Sequence, residues 1–477
     1  MTALDCPIKF GTDGWRALIA EDYTFANVRW ASRGVAQYLI NSGAADKSYQ
    51  RGVAIGYDCR FMSERFARAA AEELAAAGIP AHLGTGYAPT PAVACAIREH
   101  RLAGGIVITA SHNPWQWNGF KFKASYGGSA GPEIIKHVEA LFPSVAEPGS
   151  LRRTRAVLEE VDLVAPYIAH LEKVINLEAI ARRDFRFVLD PLFGAARGHF
   201  QQLFSRYKIR STEIHGAADP LFGGLNPEPI EPHIAALQKE VVEQKADAGF
   251  TTDGDADRIG AVDRDGRFVD SHRIFSILLK YLVEVRGLKG AVVKTFSTTK
   301  LVDKLAQKYG LALLETPIGF KHICDHMLAR EVILGGEESG GIGVPALGGP
   351  ERDGMMNGLL LAEAMAHYGK SLGGLVDELH AEFGPHYYGR VDLHLKPGQK
   401  ERAIENASAD GLTTFAGIGV EKREMLDGVK MYFDAGKGWL LVRPSGTEPL
   451  LRVYCEANSE KLVHDALSAT EKLIRAL

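Results

Sequence analysis

The feature that most restricts the fold is an alternation of short apolar runs with amphipathic stretches, repeated three times. From Arg51 the chain reads strand (GVAIGY), helix (ERFARAAAEELAAA, closed by Gly78), strand (IPAHLG), helix (PAVACAIREH) and strand (GIVITA). Runs of period two and period 3.6 taking turns in this way are the signature of α/β layers. A second series starts at FRFVLD near 185, passes helical stretches around 196–206 and 232–245, and reaches the strand ADAGFTT at 246–252. The third follows VVKTF at 292 with a helix to Tyr309, the strand LALLE, a helix over 320–329 and EVILGG. No letter-by-letter repeat is visible, which argues against a solenoid. The last hundred residues differ. YYGRVDLHL, VKMYF, GWLLVRP and LLRVYCEA read as strands spaced by turns, and an amphipathic helix follows from Ser459, the pattern of a separate α+β domain. Linker candidates are FPSVAEPGS at 142–150, the hairpin region after Val262, and FGPHYYG near 385.

A chain of 477 residues exceeds one hydrophobic core and fits about three to four domains, with clefts expected between them. Its apolar fraction of 46% and charged fraction of 24% are those of a folded globular protein. A net charge of −4 gives no general attraction for nucleic acid or an anionic membrane, so an anionic ligand needs a local basic cluster. Five scattered cysteines without a C-x-x-C pair read as reduced core thiols. The N-terminus carries Asp5 where a secretory segment needs apolar residues, and no run has the roughly 18 apolar residues of a membrane span. The expected location is the cytoplasm, and the sequon Asn406-Ala407-Ser408 has no consequence there.

Four polar loops carry the candidate chemistry. Thr109-Ala110-Ser111-His112-Asn113-Pro114 follows the buried-type strand GGIVI, so Ser111 stands at a strand's carboxyl end, where α/β sheets bind ligands. A nucleophile elbow would need glycine two residues either side of the serine; Thr109 and Asn113 stand there instead, against a hydrolase triad. By itself the loop also reads as a plain Asn-Pro turn. In Asp253-Gly254-Asp255-Ala256-Asp257-Arg258, three carboxylates at i, i+2 and i+4 share one face of an extended loop. Such like charges are tolerated if solvated or if a hard divalent cation neutralises them, and magnesium fits. An EF-hand is excluded, since its glycine and glutamate positions hold Arg258 and Arg264.

The third loop, Gly335-Gly336-Glu337-Glu338-Ser339-Gly340-Gly341, sets carboxylates and a hydroxyl on a glycine-rich backbone, groups suited to gripping sugar hydroxyls or to making a turn. The fourth, Arg443-Pro444-Ser445-Gly446-Thr447-Glu448-Pro449, offers a guanidinium, two hydroxyls and glycine-flanked amides as an anion cradle, or serves as a hairpin turn. No Walker A motif is present, because Ala364 stands where Gly369-Lys370-Ser371 requires glycine.

TASHNP, DGDADR, GGEESGG and RPSGTEP in this order, preceded by Phe10-Gly11-Thr12-Asp13-Gly14-Trp15-Arg16, resemble the α-D-phosphohexomutase superfamily of phosphoglucomutases and phosphomannomutases over nearly the whole chain. The resemblance implies an α/β fold of four domains around a central cleft: three similar mixed α/β sandwich domains (1–146, 147–265 and 266–375) and a smaller C-terminal α+β domain (376–477). It implies that Ser111 carries a phosphoryl group, that Ser111, Asp253, Asp255 and Asp257 bind Mg2+, and that Arg443, Ser445, Gly446 and Thr447 hold the substrate's non-reacting phosphate.

The expected reaction interconverts hexose 1-phosphate and hexose 6-phosphate through a bound hexose 1,6-bisphosphate, with small sugar phosphates as the only partners and a monomer or homodimer as the assembly. Arg16, His112 and Arg258 are expected to screen the phosphoryl oxygens, and Glu337 and Ser339 to grip the sugar. Lys121, in Asn118-Gly119-Phe120-Lys121, is the first candidate for moving the substrate's hydroxyl proton, a role that calls for a lowered pKa beside other cations. Lys321 is a candidate contact to the sugar or its phosphate. GGEESGG is closest to the form associated with glucose phosphates, with the glycines after Ser339 a departure from it. Two other reactions use the same residues: hexose 1,6-bisphosphate synthesis from another phosphosugar donor, and hydrolysis of the phosphoserine by water, a phosphatase.

Overall fold

The computed structural model describes residues 6–151, 153–396, 398–409, 411–444 and 450–477. They form two compact units, one running to Val292 and resuming over Gly319–Leu375, the other made of Val293–Ile318 and Val376–Leu477.

In the first unit the opening series becomes β1 (Trp15–Leu18), α1 (Phe25–Ser42), β2 (Val53–Tyr57), α2 (Ser63–Ala76), β3 (Ala81–Gly84), α3 (Thr90–His100), β4 (Gly104–Ile108), β5 (Trp117–Ala124), α4 (Pro132–Leu141) and β6 (Leu158–Val161). The sheet order is β1-β5-β4-β2-β3-β6. The central strands β2 and β4 are buried along their whole length, as strands covered on both faces must be. They run parallel, as do β2 with β3 and β3 with β6, whereas β5 runs antiparallel to both β4 and β1.

The next stretch gives α5 (Val164–Val174), α6 (Leu177–Ala181), β7 (Arg186–Asp190), α7 (His199–Arg206), β8 (Arg210–Glu213), α8 (Ala235–Glu243), β9 (Ala248–Thr252), β10 (Ile259–Asp263) and β11 (Phe268–Val269), with sheet order β11-β10-β9-β7-β8. The edge strand β8 escaped the sequence reading because RSTE is polar and no residue of it is fully buried. The hairpin expected after Val262 forms as the antiparallel pair β10–β11, which continues the sheet.

The third series gives α9 (Ser271–Glu284), β12 (Ala291–Thr295), α10 (Leu301–Lys308), β13 (Leu313–Thr316), α11 (Phe320–Ala329), β14 (Val332–Gly336), β15 (Ile342–Gly343), α12 (Pro345–Gly348), α13 (Gly354–Tyr368) and α14 (Leu372–Phe383). In the second unit β16 (Tyr387–His394), α15 (Gln399–Ser408), β17 (Thr414–Phe415), β18 (Ile418–Gly419), β19 (Lys422–Glu424), β20 (Val429–Phe433), β21 (Gly438–Pro444), β22 (Leu450–Ala457) and α16 (Glu460–Ala476) follow. Its main sheet, β16-β22-β21-β20-β19, is antiparallel throughout. Helix α16 starts where the Ser459 side chain accepts from Leu462 N, and it buries Val463, Ala466, Thr470 and Ile474 at helical spacing.

One topological device recurs. A buried strand ends in a polar loop and the chain returns antiparallel beside it, at β4–β5, β9–β10 and β14–β15. Those loops hold Ser111, the three aspartates and Glu337.

The expected linker at 142–150 is corrected. Phe142–Val145 forms a 3-10 turn whose Phe142 and Val145 are buried. Phe142 stacks on Phe10, and its carbonyl accepts from Trp30 Nε1 at 2.9 Å. Arg33 donates to the carbonyls of Val145 and Ala146 at 2.7 and 2.8 Å. Proline and glycine suggested a linker, but the aromatic ring is worth more buried than exposed. Phe142 occupies the space over Gly34, where an added Cβ would meet the ring at 2.5 Å. Phe142→Ala is expected to cost about 3–5 kcal/mol, measured by denaturant unfolding. Adding Gly34→Ala to that variant recovers part of the loss, because the methyl refills the cavity, whereas Gly34→Ala alone destabilises.

Candidate active site

The serine loop is built from its backbone outward. Ser111 is 1% exposed and holds φ of +54°, a strained value for a residue with a Cβ. What enforces it is Arg60, just beyond β2. Its guanidinium donates to the carbonyls of Ser111 (2.7 Å), Asn113 (2.7 Å), Pro114 (2.9 Å) and Trp117 (3.0 Å). Asp58 pairs with Arg60 Nε at 3.0 Å and accepts from Thr109 Oγ1 at 2.6 Å, and Thr109 Oγ1 in turn accepts from Ser111 N at 2.9 Å. Both side chains of the Asp58–Arg60 pair are fully buried. The sequence reading passed over them, although two charges directly after the apolar strand GVAIGY mark a strand end with work to do.

Ser111 Oγ donates to Asp253 Oδ2 at 2.7 Å and lies 3.4 Å from His112 Nδ1. The serine and aspartate loops touch at the backbone, because a Cβ on Gly254 would stand 2.5 Å from Ser111 O. Asp253, Asp255 and Asp257 are 0% exposed, and one carboxylate oxygen of each lies within 4.8 Å of the others. Burial and the two neighbouring carboxylates push the Asp253 carboxyl well above its ordinary range. Asp257 goes the opposite way, since Arg352 and Lys121 overcome its burial. Asp255 Oδ1 and Asp257 Oδ1 are buried without a hydrogen-bond partner among the described residues. Three converging carboxylates with two oxygens unused make a donor set suited to a hard, oxygen-seeking divalent cation.

Lys121 differs from expectation. It sits among carboxylates, with Nζ 2.8 Å from Asp13 Oδ2, 2.8 Å from Asp255 Oδ2 and 2.9 Å from Asp257 Oδ2. Burial alone would lower its pKa, but Asp13, Asp255 and Asp257 raise it, so it is held as an ammonium. Thr90, opening α3, donates its hydroxyl to Asp255 Oδ2 and its amide to Asp255 O, fixing the middle aspartate from the other side.

Around this centre stand the arginines. Arg16 donates to Asn113 Oδ1 at 2.7 Å, and Arg258 Nε lies 3.7 Å from Asp253 Oδ2 and 3.9 Å from Asp257 Oδ1. The sequence reading missed Arg352, which is 3% exposed. It bonds Asp13, Asp257 Oδ2 (2.6 Å) and Glu337 Oε2 (3.4 Å) and lies over the Phe320 ring, so it ties the aspartate loop to the proposed sugar loop. Its signal was the charged trio Glu351-Arg352-Asp353 set against the apolar helix that follows.

Glu337 follows β14 directly with 5% exposure, while Ser339 two residues on is half-buried. Gly340, at φ of +89°, lets the loop lie against β10, where its carbonyl accepts from Ile259 N at 3.1 Å. Lys321 lines a cavity of about 130 Å³ with Gly11, Thr12, Asp13 and Gly14 of the opening motif. In the second unit Arg443 pairs with Asp427 at 3.0 Å. Ser445, Gly446 and Thr447 lie outside the described residues.

Burial pushes the Glu337 carboxyl up to about 7, aided by Glu338 and opposed by Arg352. On the expectation that Glu337 grips the sugar, for which the carboxylate is the stronger acceptor, KM for sugar phosphates should fall as pH rises from 6 to 8, and Glu337→Gln should flatten that dependence. Between the ordinary carboxylate range and about 7 the folded state keeps a proton that the unfolded chain releases. Glu337 thus costs stability as pH rises through that window, and the melting temperature of Glu337→Gln should gain on the parent between pH 5 and 8.

The chain matches the α/β/α domains I, II and III of phosphoglucomutase/phosphomannomutase over residues 7–148, 165–266 and 270–383, and their C-terminal domain over 419–473. It is 32% identical to a phosphoglucomutase/phosphomannomutase of Thermococcus kodakarensis over 98% of each chain. To a phosphoglucosamine mutase of Limosilactobacillus reuteri it is 30% identical, again over 98% of each. A crystal structure from Thermus thermophilus, described as a phosphomannomutase, superposes with a TM-score of 0.86 at 33% identity over 99% of this chain and 100% of its own. No helix among the described residues is long and apolar enough to cross a membrane. With all four domains matched in order, the chain belongs to the phosphoglucomutase/phosphomannomutase family of the α-D-phosphohexomutase superfamily, isomerases acting on hexose phosphates.

Proposed function

We propose that this enzyme interconverts hexose 1-phosphate and hexose 6-phosphate, with glucose as the sugar, through a phosphoserine at Ser111 and a hexose 1,6-bisphosphate that turns end for end. The observation that carries the reading is the 2.7 Å approach of Ser111 Oγ to Asp253 Oδ2 at the rim of three buried carboxylates. A nucleophile beside so much negative charge suits a group that carries phosphate, because a cation held by the carboxylates would balance the phosphate as well. Asp253, Asp255 and Asp257 would hold magnesium, which supplies Lewis-acid neutralisation of phosphoryl oxygens.

A phosphoserine carries about −1.5 to −2 charges near neutral pH, and an approaching hydroxyl is repelled unless that charge is screened. Arg16 bonded to Asn113, His112 within the serine loop and Arg258 beside Asp253 serve that purpose. During transfer the bond from phosphorus to Ser111 Oγ breaks and one to the sugar oxygen forms, while one proton passes from the sugar hydroxyl to the serine. Lys121, held as an ammonium, gives its proton to the departing Oγ and is reloaded by the attacking hydroxyl. Glu337 and Ser339 accept and donate to the sugar's hydroxyls, with Lys321 as a further contact. Arg443, Ser445, Gly446 and Thr447 cradle the phosphate that is not reacting, and because each end of the bisphosphate occupies each place in turn, both places must fit both ends.

Ser111→Ala is expected to lower kcat at least about a thousandfold while leaving sugar-phosphate binding within a few-fold, since only the covalent step is lost. Undiminished turnover in that variant sinks the mechanism. Phosphorus NMR with magnesium and a panel of glucose, mannose and glucosamine phosphates separates the reactions. A new isomer with bisphosphate retained identifies the mutase and its sugar. Accumulating free bisphosphate identifies the synthase, and inorganic phosphate without isomer the phosphatase.

A further inference from the structure

Helix α3 leaves the catalytic centre at Thr90, whose hydroxyl and amide hold Asp255, and carries Cys95 and Glu99 one helical turn apart on one face. Across from them stands His170 of α5. One ligand atom each from the Cys95 thiol, the Glu99 carboxylate and the His170 ring lies within 4.8 Å of the other two. The three differ in exposure: Cys95 is buried, His170 half-buried and Glu99 exposed. The group therefore opens to water on one side. His170 Nε2 is 2.6 Å from the carbonyl of Leu347, so that nitrogen carries the proton and Nδ1 keeps its lone pair. Fixing one ring nitrogen on a backbone carbonyl is how proteins set the tautomer and orientation of a metal-binding histidine.

We propose that Cys95, Glu99 and His170 form a second metal site, distinct from the aspartate triad, that takes a borderline divalent transition ion of the zinc class. The donors decide the class. Thiolate, imidazole and one carboxylate with a fourth position open to water make a tetrahedral set for zinc, whereas three carboxylates suit magnesium. Donor atoms around a four-coordinate zinc stand about 3.3–3.8 Å apart, given bonds of about 2.0–2.3 Å, so the present spacing closes onto an ion with side-chain rotation. On binding, the thiol releases its proton to solvent as the bond from sulfur to metal forms, and no electron is transferred. Because α3 also fixes Asp255 at its first turn, an ion here ties α5 to the helix that positions the catalytic carboxylates.

The test uses the full chain in excess magnesium, titrated with cobalt(II) as a spectroscopic stand-in and with zinc in competition. Expected is one equivalent of cobalt giving a sulfur-to-metal charge-transfer band and tetrahedral ligand-field bands, displaced by zinc. Cys95→Ser removes the charge-transfer band. His170→Gln and Glu99→Gln, at more exposed positions that leave the core intact, each weaken cobalt binding at least about tenfold while magnesium-supported mutase activity persists. Zinc should also raise the melting temperature of the parent more than that of either variant. The proposal is overturned if the parent shows no such band, if the band survives Cys95→Ser, which would assign it to another thiol such as Cys59, or if cobalt affinity is unchanged in both His170→Gln and Glu99→Gln.

Discussion

The structure turns on keeping carboxylates charged where water cannot reach them. Asp13, Asp253, Asp255 and Asp257 face Lys121, Arg258 and Arg352, and burial with the shortfall of cations around Asp253 leaves its carboxyl raised while Asp257 is held low. An isolated buried carboxylate is too costly to ionise, and a pair survives only with good geometry and further hydrogen bonds. That demand is met from several segments at once. The opening motif supplies Asp13, β5 supplies Lys121, the start of α3 supplies Thr90, and the segment after α12 supplies Arg352. Removing any one strands charge on the others, so the parts of the site are coupled more tightly than their sequence separation suggests.

The repeated strand, loop and antiparallel return explains how the pieces arrive together. A parallel strand buried on both faces can deliver a polar group only at its carboxyl end. Turning the chain straight back keeps the loop short and its backbone hydrogen-bonded on both sides. β4–β5, β9–β10 and β14–β15 all do this, and the outgoing strand then contributes as well: Lys121 lies in β5, and Ile259, opening β10, holds Gly340 of the neighbouring loop.

Much of this was legible in the sequence, and what escaped did so for physical reasons. Alternating apolar periods announced the α/β layers, and the polar runs that follow apolar strands marked Ser111, the aspartates and Glu337 as loop residues. Asp58, Arg60 and Arg352 showed in the sequence only as charges beside apolar runs, because folding alone reveals which carbonyls and carboxylates a guanidinium gathers. The character of Lys121 was misjudged for the same reason. A lysine near a phosphate site suggests a crowd of cations, yet its neighbours came from Asp13 at one end of the domain and from the aspartate loop. Polar β8 and the aromatic plug Phe142 mark the limits of local pattern, one for lacking apolar alternation and the other for sitting among prolines and glycine.

The glycines that follow Ser339, unexplained by loop chemistry alone, acquire a reason from Arg352. A Cβ at position 341 would stand 2.5 Å from Arg352 Cδ and 3.2 Å from Glu337 Oε2. Any side chain there displaces the arginine from the place where it touches Glu337, Asp257 and Asp13 together. The glutamate loop is therefore held jointly by a carboxylate and the guanidinium lying in the space glycine leaves open. Arg352 bonds both Glu337 and Asp257, so the placing of the glutamate loop and the charge balance of the aspartate loop rest on one side chain, and neither can be altered without the other.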